Sequence, residues 1–161
     1  MATNPATPTP AYKRVQAPTE SLDGIACLAM ISGKSIAEIL KVAIEMFKLR
    51  PTNGPYYITE NRLQTLGVKF GFVLKNFREV ASVDDLPDLA LAWQLTDPEF
   101  EGGRYLLFHR MKDFANPKQN YAYVIDPMPV ADPSLAIRTD IENLSLTWCM
   151  PVSPMGKPPA K

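Results

Sequence analysis

Leu22-Asp23-Gly24-Ile25-Ala26-Cys27-Leu28-Ala29-Met30 is the stretch on which the fold turns. It opens on an acidic residue and a glycine, then runs through small and apolar side chains until Gly33. A carboxylate in that place accepts the unpaired N–H groups of a first helical turn and suits the positive end of the helix dipole. With no polar face beyond its start, the run predicts a short helix sunk in the core, its capped end pointing at a surface.

Outward from this helix, Ser35 and Glu38 have capping-box spacing, and Ile36, Ile39, Leu40, Ala43, Ile44 and Phe47 share one helical stripe. A second helix packed on the core is expected there. Arg50-Pro51-Thr52-Asn53-Gly54-Pro55 breaks the chain, Thr59 caps a shorter helix through Leu63 and Leu66, and Gly67 is its expected stop. Residues Val68 to Leu74 read as a first strand. From Leu86 the apolar period changes to two, which predicts strands at Leu89 to Leu95, Arg104 to Met111, Tyr121 to Ile125 and Leu144 to Cys149. Turn-rich residues lie at Thr96 to Gly103 and Asn116 to Asn120, and an irregular or helical piece falls around Ser134 to Asn143. Helices first and antiparallel strands after them make an α+β fold.

The 161 residues suit one domain, and 46% hydrophobic with 21% charged is an ordinary globular composition. Seventeen basic residues balance seventeen acidic ones, so nothing in the charge supports a nucleic-acid or anionic-membrane partner. Cys27 and Cys149 make no disulfide framework, and no Cys/His cluster has metal-ligand spacing, so neither metal nor cofactor is expected. No signal-peptide pattern and no membrane-length apolar run is present, which points to a cytoplasmic protein without membrane insertion. Residues 1–19, rich in Pro, Ala and Thr, and 153–161, with Pro154, Pro158 and Pro159, read as solvated tails around a domain at 20–152.

The opening stretch resembles the nucleophile helix of the papain-like bacteriocin-processing cysteine peptidases, which cut double-glycine leader peptides. Gly24-Ile25-Ala26-Cys27-Leu28-Ala29-Met30 fits that family's helix frame, with Asp23 at the position of its catalytic Cys. Three later motifs fall in the family's order: Leu86-Pro87, then Gly103-Arg104-Tyr105-Leu106-Leu107-Phe108 where the family's His opens a strand, then Tyr123-Val124-Ile125-Asp126-Pro127. The resemblance covers roughly residues 15–152 by element order. It implies a papain-like fold, an oxyanion role for Gln16 (one residue further from Asp23 than the family spacing), and an orienting role for Asp126. The His position falls on Arg104, or on Tyr105 if the frame slips by one.

With Asp23 for the thiol and Arg104 or Tyr105 for the imidazole, the thiolate–imidazole chemistry is lost, since Arg does not give up its proton near neutral pH. No catalytic residue remains. Cys27 lies about 6 Å further along the helix axis than Asp23. His109, four residues along the strand from Tyr105, is roughly 13 Å away from it. A residual thiol hydrolase using Cys27 is the alternative; core packing for Cys27 and a structural place for His109 are the plain expectations. Asp23 and Arg104 either preserve the lost ion pair's charge pattern, with Arg104 also reaching Asp126, or serve as a helix cap and a solvated side chain. What the resemblance implies is a catalytically inactive domain that binds a protein or peptide as an adaptor, inhibitor or immunity-type factor. Trp93 and Tyr105 are candidates for its cleft lining or for its core.

Overall fold

A computed structural model describes residues 9–50, 56, 58–100, 102–112 and 120–156. The expected chain break at 51–55, the turn at 116–119 and the outer parts of both tails lie outside the described residues. Three helices come first: α1 (Asp23–Ser32), α2 (Ile36–Phe47) and α3 (Glu60–Lys69). Seven strands follow among the described residues: β1 (Phe72–Leu74), β2 (Arg78–Glu79), β3 (Leu89–Asp97), β4 (Gly102–Met111), β5 (Tyr121–Ile125), β6 (Ile137–Arg138) and β7 (Leu146–Pro154). The architecture is α+β with an antiparallel sheet in the order β1-β7-β3-β4-β5-β6, and β2 adds to β7.

α1 is the buried centre. Every residue from Asp23 to Ile31 is buried, and Gly33 ends the helix in a left-handed conformation (φ 73°) that costs a glycine nothing. Ile25 and Leu28 are fully buried, each worth about 1.5–3 kcal/mol of transfer free energy. Around α1, the inner stripes of α2 and α3 join Leu91, Leu107, Tyr123, Ile125 and Met150 from one face of the sheet. The opposite face carries Ala90, Ala92, Leu106, Phe108, Val124 and Cys149 under a cover of Leu86, Ile141 and Leu144. The middle of the sheet is therefore covered on both faces, which explains why β3 and the middle of β4 read as nearly continuous apolar runs.

The caps follow the expected chemistry: Ser35 Oγ accepts the Glu38 N–H (3.1 Å) and Thr59 Oγ1 accepts the Arg62 N–H (3.3 Å). Gly67 does not stop α3. The helix runs on to Lys69, and the chain turns at Gly71 (φ 93°). Gly67 is small because Leu74 lies against it; a Cβ there would sit 2.5 Å from Leu74 Cδ1. The first strand is accordingly shorter than expected.

Two segments read as solvated are held by hydrogen bonds. Residues 9–19 run beside β5 rather than into solvent. The backbone N–H groups of Ala11 and Tyr12 donate to the Tyr123 hydroxyl, that of Ala17 donates to the Pro127 carbonyl (2.7 Å), and Ala17 is fully buried. At the other end β7 continues through Pro151 to Pro154. Lys75 N–H donates to the Pro151 carbonyl (2.9 Å). A strand residue's N and O point to the same side, so the N–H that proline lacks is lost from the Lys75 side and the ladder to β3 stays whole. Among the described residues no helix is long and apolar enough to cross a membrane.

Candidate functional site

The head of α1 meets β4 through Asp23. β5 ends at Ile125, opposite Leu107, so the backbone of Tyr105 lies beyond the last β4–β5 pair. Its N–H donates instead to Asp23 Oδ2 (2.8 Å), while Oδ1 accepts the Gly24 N–H (2.7 Å). One carboxylate thus serves both a helix start and an open strand edge. Asp23 is the first helical residue rather than the N-cap. Its carboxyl, expected to be held ionised by the helix, is pushed above the usual carboxylate range by burial; the Tyr105 and Gly24 N–H groups only partly oppose this, and the Asp126 charge adds to it.

Arg104 and Tyr105 point to opposite faces of β4, as neighbours in a strand must. Tyr105 faces α1. Arg104 faces the other way and does not pair with Asp23; its guanidinium reaches Asp126 Oδ2 (2.9 Å) and Gln94 Oε1 (3.2 Å). Asp126 is buried, and its second oxygen accepts the Met128 N–H (2.9 Å). Gln16 is exposed and bonds Arg14 (3.3 Å), which itself holds the carbonyls of Asp126 and Met128. Of the five candidates, Asp23 and Tyr105 come together, Arg104 and Asp126 form a separate pair behind the sheet, and Gln16 stands apart from both.

In front of the Asp23–Tyr105 contact lies a groove of about 1020 Å³. Its floor is an aromatic row across three strands, with Trp148 of β7 opposite Trp93 of β3 and Trp93 opposite Tyr105 of β4. Trp93 meets Tyr105 edge-on (centroids 5.1 Å) and Phe77 stacks on Tyr105 (6.0 Å), while Trp148 stays 45% exposed. Glu20, Asp23 and Glu60 supply the groove's charge, and no Lys or Arg lines it among the described residues. Burial, then the charges of Asp23 and Glu60, push the Tyr105 phenol far up, so it stays protonated at neutral pH. Phe77, Trp148 and Glu60 escape notice in the sequence. Their only sequence trace is a phenylalanine among the polar residues Lys75 to Glu79 and a tryptophan within the expected last strand.

No nucleophile is prepared here. Cys27 is fully buried one turn inside α1, and burial together with the charges of Asp23 and Asp126 drives its thiol well above the normal range. His109 Nδ1 is bonded to the Tyr123 hydroxyl (2.9 Å), with the Tyr12 ring edge-on at 4.9 Å, and burial lowers its pKa. It helps hold the 9–19 strap and does not line the groove. In the folded protein a thiol-disulfide reagent should therefore modify neither Cys27 nor Cys149, both fully buried. In denaturant both should react; a fast-reacting native Cys27 would contradict this. Among the described residues no group of three His, Cys, Asp or Glu is placed to hold a metal. The chain matches no family model and no curated protein.

Proposed function

We propose that the protein is a catalytically inactive, papain-like peptidase homologue that binds a protein or peptide segment. The observation that carries this reading is the aromatic groove in front of the Asp23–Tyr105 contact, where the resembled peptidases keep their Cys and His. Helices ahead of an antiparallel sheet, with the head of the first helix against the β4 strand, agree with that scaffold. The groove is open, apolar at its floor and polar at its margin, the combination that takes extended chains with side-chain anchors. Catalysis has no support: a buried high-pKa thiol is not a nucleophile, and Tyr105 keeps its proton.

A peptide array probed with the purified protein tests the reading. A sequence-selective subset should be captured, the captured peptides should stay intact by mass spectrometry, and Trp148→Ala should weaken capture. Cleaved peptides, or capture that the Trp148 variant retains in full, would sink it.

A further inference from the structure

Resting on the peptide-binding reading above, we propose that the groove selects a basic segment, an arginine or lysine side chain lying across the Trp148–Trp93–Tyr105 row with its charge toward the carboxylates of Glu20, Asp23 and Glu60. Two features of the lining agree on this. Aromatic faces carry negative potential and attract guanidinium and ammonium groups, most strongly where water is excluded. Three carboxylates line the same groove, and no Lys or Arg is among its described lining residues. Four ion pairs, Arg104–Asp126, Arg110–Asp88, Lys112–Asp88 and Arg138–Asp140, use none of the groove's carboxylates. Both Asp23 oxygens already accept N–H groups. Glu60 is partly used, since its Oε1 accepts the Phe77 N–H (3.2 Å), which holds the Phe77 ring beside Tyr105. Glu20 and the second Glu60 oxygen are the more open acceptors. An acidic or neutral polar segment would face carboxylates and six aromatic or aliphatic side chains without compensation. A basic segment satisfies both sets, its aliphatic stem on the rings and its charge at the rim.

The chain holds only two tryptophans, and both are in the groove, so intrinsic fluorescence reads the site directly. Three acetylated and amidated hexapeptides free of tryptophan serve as probes: leucine alternating with arginine, the same with citrulline, and the same with glutamate. The arginine peptide should perturb the fluorescence saturably and bind about tenfold more tightly than its citrulline isostere. That advantage should shrink with added salt. It should also fall in the double variant Glu20→Gln and Glu60→Gln, in which the amide oxygen at 60 still accepts the Phe77 N–H. Citrulline equal to arginine, or glutamate binding best, overturns the basic preference and leaves the peptide-binding reading standing. Silence from all three peptides in a protein that still captures array peptides does the same. Silence in both assays overturns both.

Discussion

Asp23→Ala should lower the stability of the fold by about 2–4 kcal/mol, because two buried N–H groups lose their acceptor. Tyr105 N–H (2.8 Å) and Gly24 N–H (2.7 Å) each point at one oxygen of the carboxylate. The Tyr105 group is the harder to satisfy otherwise, since β5 has already ended and the Pro127 carbonyl beyond it accepts the Ala17 N–H. For a chain of this size the loss corresponds to a fall in Tm on the order of 10 °C. Asp23→Asn should recover little. An amide has one acceptor oxygen, so its NH2 must face one of the two donors. Thermal unfolding of the three proteins checks this, and an Asn variant as stable as the parent would show that the second hydrogen bond is dispensable.

The same carboxyl carries a pH signature. Burial raises its pKa in the folded chain above that of the unfolded chain, so the folded state binds this proton more tightly. The resulting stability is fully present below the unfolded value and is lost as pH rises through the folded one. Subtracting the Asp23→Asn curve from the parent's cancels the other titrating groups to first order. The difference should favour the parent most at acidic pH and decline toward neutrality. A difference that grows with pH would mean that the two N–H groups outweigh burial.

Local chemistry was legible; register was not. α2 and its Ser35 cap and the bounds of β5 follow from contacts within one turn or from strict alternation. α3 overran Gly67 because that glycine answers to Leu74, a residue beyond the helix, rather than to its own backbone. The prolines at 151 and 154 look like strand breakers until β7 is known to border β1 only at its end. Asp23 was legible as facing the start of a strand, and the position opposite it was left between Arg104 and Tyr105. That Arg104 turns away to Asp126 follows from alternation once the frame is known, and the frame is set by which residue faces α1. The aromatic floor depends on pairings across 55 positions between Trp93 and Trp148, which no local pattern encodes.

Gly103→Ala should be the most damaging small substitution in the sheet. Gly103 lies near the start of β4, opposite Leu95 of β3, and its backbone φ is not what requires glycine. Space is. An added Cβ would overlap the Gln94 carbonyl oxygen across the ladder and lie 2.8 Å from two atoms of the Trp93 indole. A ring can rotate, but a ladder carbonyl moves only if β3 and β4 part, so the cost should reach at least about 3 kcal/mol, the upper range of overpacking. Gly102→Ala is the matched control: its Cβ would meet only Asp97 Cβ at 3.3 Å, an adjustment of a few tenths of an ångström. The two variants should therefore differ by several degrees in Tm or more, although their positions are adjacent. Removing the indole as well, in Gly103→Ala with Trp93→Ala, should restore little, because the carbonyl overlap remains. If the double variant regains the parent's stability, the indole alone demands the glycine. The groove floor would then rest on the Trp93 indole rather than on the close approach of two strands.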